Sequence, residues 1–330
     1  MKILILSHDE IVELLPVSEC VRVMREALTS LANGLVYQPL RTIVRPPDAQ
    51  GLMGLMPSYI SGDRPAYGLK AICLFANNPQ KGKDAHQGGV LLFSAETGEL
   101  LALMNASAIT AIRTAAVSGV ATDVLARNDA VDLAIIGAGV QAHTHLAAIS
   151  SVRPITRCRV ASQNVENTRR FTEREQHLYR FPIEAVETVE AAVTSADIVV
   201  TATTSSEPVV YREWISNGTH LNVVGSSTPW AREVDSATMA ASSLFVDRTE
   251  STIAEAGDYL FAVKDGSIAP DHIRGELGEV LTGRKLGRTT EDEITLFKSL
   301  GLAVEDLAAA NYLYTKALAS GTGTSVEFGA

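Results

Sequence analysis

Two sets of residues in this chain could do chemistry by their type and spacing. The first is the run Asp132-Leu-Ala-Ile-Ile-Gly137-Ala-Gly139-Val-Gln-Ala142. Its apolar half reads as a strand, and its Gly-x-Gly-x-x-Ala half as the turn into a helix. Gly137 permits the tight turn, Gly139 lets a pyrophosphate approach the backbone, and Ala142 is small enough for the next helix to pack on the sheet. A helix that starts there aims its free N–H groups and positive dipole end at phosphates. That chemistry is dinucleotide binding. The second set is cationic: Arg41, Lys70 and Arg113. Arg113 lies in Ser107-Ala-Ile-Thr-Ala-Ile-Arg113-Thr-Ala-Ala, a stretch too apolar to accept a lone charge. A buried cation needs an anion. In a cleft beside a dinucleotide that anion is a substrate carboxylate or the pyrophosphate, with a structural ion pair as the competing explanation. Together the three cations point to a small acidic substrate.

Cofactor choice is read near the end of the second strand, about twenty residues past the glycines, where an acid would bind a ribose 2′-hydroxyl. This chain has Ala161-Ser162-Gln163-Asn164 there and no acid, with Arg169 and Arg170 following. Hydroxyl and amide groups can donate to a 2′-phosphate, so NADP(H) is expected over NAD(H). Thr203-Thr204 and Ser226-Ser227-Thr228 each follow a strand end, where ligands bind such sheets, although either could simply cap a helix. His86 is a candidate cofactor contact or general acid, or a structural residue. His143 and His145, two apart on a helix, face different ways, and no motif of metal-binding type is present, so no metal is expected.

The elements that must position these residues fall into two regimes. Ser7-His-Asp-Glu10 reads as a capping box, and Val17–Asn33 as a periodic helix ended by Gly34. Strand-like runs follow at Leu40–Arg45, Leu52–Met56, Tyr67–Phe75 and Gly89–Ser94, then a turn at Glu96-Thr-Gly-Glu99 into Leu100–Met104. Ser107–Arg127 reads as a long alanine-rich helix connecting two domains. From Val131 strands and helices alternate, with strands at Val131–Ile136, Arg157–Ala161, Ile198–Thr201, His220–Val224 and Leu244–Val246. That alternation implies a parallel sheet covered on both faces. A last helix, Val304–Ser320, is long enough to return to the first domain, and the tail from Gly321 is expected to be loose.

The bulk numbers agree with an ordinary globular chain long enough for two domains: 330 residues, 46% hydrophobic, 20% charged. A formal charge of −10 argues against nucleic acid or an anionic membrane as main partner. Cys20, Cys73 and Cys158 are too scattered for a disulfide framework and are expected as buried thiols in a reducing compartment. The apolar run after Lys2 is too short for a signal peptide or a membrane span, and a cytoplasmic location is expected.

Many ordered motifs resemble the ornithine cyclodeaminase/mu-crystallin family over nearly the whole chain. They include Gln38-Pro-Leu-Arg41, Leu55-Met-Pro57, Tyr67-Gly-Leu-Lys70, His86-Gln87, Ile109-Thr-Ala-Ile-Arg113-Thr-Ala-Ala, Gly225-Ser-Ser-Thr-Pro229 and Phe297-Lys-Ser-Leu-Gly301. The resemblance implies an α/β fold: a Rossmann-type doubly wound parallel sheet, residues 126–315, inserted into a second α+β substrate and dimerisation domain, residues 1–125 plus 316–330. A homodimer is implied as well. Cyclodeaminases carry two carboxylates where this chain has Gly54 and Ser227. Those departures, with Glu213-Trp214, Ser299 and Val304-Glu-Asp306, resemble the mu-crystallin branch, whose activity is NADPH-dependent ketimine reduction. The resemblance gives Arg41, Lys70 and Arg113 the substrate carboxylate. It gives Arg113, His86, Thr114, Gly137, Gly139, Val140, Gln141, Ser162, Gln163, Asn164, Thr203, Thr204, Val224 and Ser299 the cofactor, and makes Glu255 a ligand contact.

The expected reaction is hydride transfer to the C=N carbon of a small cyclic ketimine carboxylate such as Δ1-pyrroline-2-carboxylate or Δ1-piperideine-2-carboxylate. Lys70 is the first candidate for the proton, ahead of water held by Ser227 or Glu255. A lysine between arginines is expected to have a lowered pKa. Competing expectations are an ornithine or lysine cyclodeaminase, an alanine-type amino-acid dehydrogenase, and a non-catalytic NADPH- or ligand-binding protein.

Overall fold

The computed structural model describes Lys2–Gly329. The chain opens with β1 (Lys2–Leu6), α1 (His8–Leu14) and α2 (Val17–Ala32). The capping box is present: Ser7 N donates to Glu10 Oε2 at 2.8 Å, and the Ser7 hydroxyl accepts from Glu10 N at 3.5 Å. Next come β2 (Val36–Tyr37), β3 (Thr42–Val44), β4 (Leu52–Ile60), β5 (Ala66–Leu74), β6 (His86–Ser94), β7 (Leu100–Asn105) and α3 (Ala106–Leu125). The alternating part holds β8 (Asp132–Ile136), α4 (Val140–Val152), β9 (Arg157–Ala161), α5 (Val165–Gln176), β10 (Ile183–Ala185), α6 (Val189–Val193), β11 (Ile198–Thr201) and β12 (His220–Val223). It continues through α7 (Ser236–Ala241), β13 (Ser243–Val246), α8 (Thr249–Glu255), α9 (Gly257–Lys264), β14 (Ile273–Glu276), α10 (Leu277–Leu281) and β15 (Thr295–Lys298). The chain closes with α11 (Ala303–Ser320) and β16 (Thr324–Glu327).

These elements form two compact units, Met1–Arg113 with Gly301–Ala330, and Thr114–Leu300. The expected boundaries, 125/126 and 315/316, both come later in the chain, inside or at the end of a helix. A sequence pattern marks where a helix stops, whereas the units divide α3 after two turns, because its first residues pack with unit 1.

In unit 1 an eight-stranded sheet runs β16-β1-β7-β6-β5-β4-β2, with β3 also on β4. The tail is therefore not loose: β16 pairs antiparallel with β1, Val326 opposite Ile3. Polar Thr-Ser alternation hid an edge strand whose stability comes from its partner. One sheet face, carrying Met56, Lys70, Val90 and Met104, is covered by α11 over β4 to β6 and by α1 at β7, with α2 packed against α11. α2 turns Cys20, Met24, Ala27 and Leu28 inward at helical spacing. The opposite face is apolar yet open: Met53 is 41% exposed, Tyr67 51% and Leu103 37%. Cys73 sits on it, half-buried, so only Cys20 and Cys158 are the buried thiols expected.

Unit 2 holds an eight-stranded sheet, β10-β9-β8-β11-β12-β15-β13-β14, in which every pair is parallel. Successive β8 side chains enter opposite cores, Leu133 and Ile135 on one face, Ala134 and Ile136 on the other. Such two-sided burial is what a doubly wound sheet requires. β15, between β12 and β13, was not expected as a strand, because Thr295-Leu-Phe-Lys298 shows no alternation when all four residues are buried. α3 is buried or half-buried along its whole length and shows no solvent face, as a helix enclosed by protein must be. Thr122 and Ser118 on it meet Asn222 and His145 of the same unit.

Candidate active site

The candidate residues fall into two groups, one in each unit. In unit 2, Gly137 adopts φ +118°, and a Cβ there would lie 2.5 Å from the Ala202 carbonyl oxygen, so no side chain fits. Gly139 is the N-cap of α4 and supplies no side-chain acceptor to the helix's first N–H groups. The space beside Gly139 is open to 4 Å, and Val140 is exposed. Gln141 Oε1 is buried without a hydrogen-bond partner among the described residues. An open turn and uncapped N–H groups fit the pyrophosphate of a dinucleotide. Gly137, Gly139, Val140 and Gln141 are thus gathered at one helix start.

The strand order places β8 first, with β9 and β10 on one side and β11, β12 and β15 on the other. Ligands bind such sheets at the carboxyl ends beside the reversal point, here β8/β11. Ser162, Gln163 and Asn164 follow β9, Thr203 and Thr204 follow β11, Val224 and Ser227 follow β12, and Ser299 follows β15. Ser162 donates to the Asn164 carbonyl at 2.9 Å, and Asn164 caps α5 by accepting from Asn167 N at 3.1 Å. Arg170 pairs with Glu166 one turn earlier at 3.0 Å, so for this arginine the surface-pair explanation holds. Ser227 is exposed on its loop, Glu255 is half-buried at the end of α8, and Thr114 is buried in α3.

In unit 1 the three cations come together. Lys70 points from β5 into the covered face, and its Nζ lies 2.7 Å from Asp306 Oδ2. Arg113 Nε meets Asp306 Oδ1 at 3.3 Å, and its Nη1 meets Glu305 Oε2 at 2.7 Å. Arg41 Nη2 donates to the Gly301 carbonyl at 3.1 Å, while the Arg113 guanidinium packs so closely on Gly301 that a methyl there would overlap it. Of the two explanations for the Arg113 charge, a structural ion pair is present, made with two acids in the first turn of α11. Arg41, Lys70 and Arg113 thus lie close enough for both arginines to act electrostatically on the lysine, with Glu305 and Asp306 beside them. Burial lowers the Lys70 pKa to about 8, against the opposing charge of Asp306, with Arg113 and Arg41 adding to the fall. Burial, rather than the flanking arginines, is thus the main cause. His86, at the start of β6, is held below its usual pKa by desolvation first, then by Lys70 and Arg113.

Sequence reasoning assigned no role to Glu305 and Asp306, nor to a buried cluster in unit 2 formed by Glu233, Asp258 and Lys298. Adjacent acids opening an otherwise apolar helix were the available signal for the first pair, but helix N-termini attract surface acids too. Glu233 and Asp258 lie in no regular pattern, and nothing in the sequence marks them.

The sequence profile of the ornithine cyclodeaminase/mu-crystallin family matches residues 1–321. A Delta(1)-pyrroline-2-carboxylate reductase of Bacillus cereus is 36% identical over 326 residues, covering 98% of this chain and 100% of the relative. Ketimine reductase mu-crystallin of Mus musculus is 38% identical over 282 residues, 86% of each chain. The solved structure of Thermococcus litoralis Delta(1)-pyrroline-2-carboxylate reductase, in complex with NADH and L-proline, superposes with a TM-score of 0.95 at 42% identity, covering 98% of this chain and 100% of that one. By profile, identity and fold alike, this chain belongs to the ornithine cyclodeaminase/mu-crystallin family.

Proposed function

We propose that this chain is an NAD(P)H-dependent reductase of small cyclic ketimine carboxylates, Δ1-pyrroline-2-carboxylate or Δ1-piperideine-2-carboxylate, giving L-proline or L-pipecolate. The observation that carries this reading is the convergence of Arg41, Lys70 and Arg113 at the first turn of α11, with Lys70 and Arg113 buried. Guanidinium and ammonium groups brought together in this way suit a substrate carboxylate. Reductases with such substrates among the relatives, one solved with NADH and L-proline, support the same substrate class.

Reduced nicotinamide, when bound, supplies the hydride that adds to the imine carbon. The arginines orient the ring through its carboxylate, and orientation of this kind contributes several kcal/mol to catalysis, on the order of 7–11 at best. Lys70 gives a proton to the imine nitrogen, so that hydride on carbon and proton on nitrogen complete the amine. A pKa of about 8 keeps it mostly charged at neutral pH while easing release of the proton. Ser227 and Glu255 would hold a water as the secondary donor. We further propose NADPH over NADH, on the absence of an acid at Ser162–Asn164, and a homodimer built on the open sheet face of unit 1, whose apolar residues are unusual for a surface facing water.

The test is NADPH and NADH oxidation with the two cyclic ketimines, with pyruvate plus ammonia, and with ornithine without reductant. Turnover confined to the ketimines is expected. Turnover only with pyruvate and ammonia, or with ornithine alone, would overturn the reading in favour of a dehydrogenase or a cyclodeaminase.

A further inference from the structure

The buried carboxylate of Glu233 ties together two loops that chain order keeps apart. Its Oε1 accepts from Thr203 N at 2.7 Å and Thr203 Oγ1 at 2.8 Å. Its Oε2 accepts from Gly225 N at 2.6 Å and Thr201 Oγ1 at 2.8 Å. Both oxygens are thus saturated by the segments that leave β11 and β12. The loops are so close that a Cβ on Gly225 would lie 2.2 Å from the Thr203 carbonyl oxygen and 2.5 Å from Glu233 Oε1. Glu233 is itself anchored: its backbone N donates to Asp258 Oδ1 at 2.7 Å, Asp258 pairs with Lys298 at 2.8 Å, and Lys298 donates to the Ser226 carbonyl at 2.6 Å. Glu233, Asp258 and Lys298 are all fully or almost fully buried.

We propose that Glu233 is a positioning residue that clamps the loops after β11 and β12 into the shape that receives the nicotinamide half of the cofactor. The assignment to that half follows from topology. β8 to β10 carry the glycine turn and the ribose-reading position, and therefore the adenosine half. In a doubly wound sheet the second set of strands takes the other mononucleotide. Chemistry makes the residue hard to replace. Each carboxyl oxygen faces a backbone N–H that cannot reverse its direction, so an amide would set its NH2 against either Thr203 N–H or Gly225 N–H. A buried donor left facing a donor loses its bond and repels. This inference rests on the cofactor reading proposed above.

The test measures binding rather than turnover, with the full chain. NADPH and NADH serve as whole-cofactor ligands, ADP and 2′,5′-ADP as adenosine-half ligands, titrated by calorimetry into wild type and Glu233→Gln. Glu233→Gln is expected to weaken the whole cofactor at least tenfold while the adenosine-half ligands stay within twofold. Glu233→Asp, which keeps two acceptors but withdraws them by one carbon, should fall between, and it alone carries the test if Glu233→Gln does not fold. Equal weakening of both ligand classes, or no weakening of the dinucleotide, overturns the clamp. A wild type that binds ADP but no better binds a dinucleotide overturns the cofactor reading itself.

Discussion

Asp306 stands between two cations of unit 1, one oxygen 2.7 Å from Lys70 Nζ and the other 3.3 Å from Arg113 Nε. Its carboxylate therefore does two things at once. It fixes the ammonium and the guanidinium relative to each other, and it opposes the loss of the Lys70 proton that burial favours. A proton donor needs both a fixed place and a pKa near the working pH.

Replacing Lys70 with Met should abolish ketimine turnover while dinucleotide affinity stays within about twofold. Removing one partner of a buried pair costs about 3–5 kcal/mol, and retention of Arg113 beside Asp306 should keep the loss at the lower end. Steady-state kinetics, calorimetric titration with NADPH and thermal melting check the three parts. Near-normal turnover would remove Lys70 from the mechanism.

The pH dependence follows from the same group. If protonated Lys70 is required, kcat/KM should fall as pH rises through about 8. Stability moves the other way. An unfolded lysine titrates near about 10.4, so between that value and the folded value the unfolded chain binds more protons, and the contribution of Lys70 to stability rises with pH. It is fully present above the unfolded value and lost as pH falls through about 8. Melting of wild type against Lys70→Met across that window should show the difference shift toward wild type.

The two glycines of the turn should fail differently. Gly137→Ala forces a Cβ against the Ala202 carbonyl and a strained backbone, so both stability and cofactor affinity should drop. Gly139→Ala meets nothing in the protein, so its melting temperature should hold while a methyl in the pyrophosphate space cuts affinity at least tenfold. Melting and titration of both variants decide this.

Cofactor preference should turn on the end of β9. Ser162→Asp puts a carboxylate where a 2′-phosphate would lie, and should weaken NADPH at least tenfold relative to NADH. An unchanged ratio of the two affinities would place the 2′-phosphate elsewhere.

The open face of unit 1 should hold the subunits together. Wild type is expected to sediment as a dimer, and the double variant Met53→Lys with Tyr67→Lys, two charges at positions 41% and 51% exposed, as a folded monomer. Sedimentation velocity with circular dichroism checks both.

Legibility in the sequence followed how local each signal was. The glycine turn was plain, because strand, turn and helix start lie within eleven residues. So was the division into an antiparallel part and an alternating part, through periodicity and turn residues. β15 and β16 were hidden for opposite physical reasons: one is buried on both faces and shows no alternation, the other is polar and exists through its pairing with β1. At the site, Arg113 was noticed because a charge in an apolar helix is conspicuous. Glu305 and Asp306 stood out only as part of a family resemblance and not as its partners, because they lie 192 and 193 residues further on and only the fold brings them together. Glu233 was invisible for the same reason: its role depends on loops that meet only in the folded sheet.

Hydride delivery to the ketimine carbon is the claim on which the other functional statements depend, and isotope transfer tests it most directly. NADPH deuterated at nicotinamide C4, in separate pro-R and pro-S forms, is incubated with the protein and Δ1-pyrroline-2-carboxylate, and the product is read by NMR. One of the two forms should yield L-proline carrying deuterium at C2. Proline formed without label from either form, or no proline with the dinucleotide bound, would contradict the account.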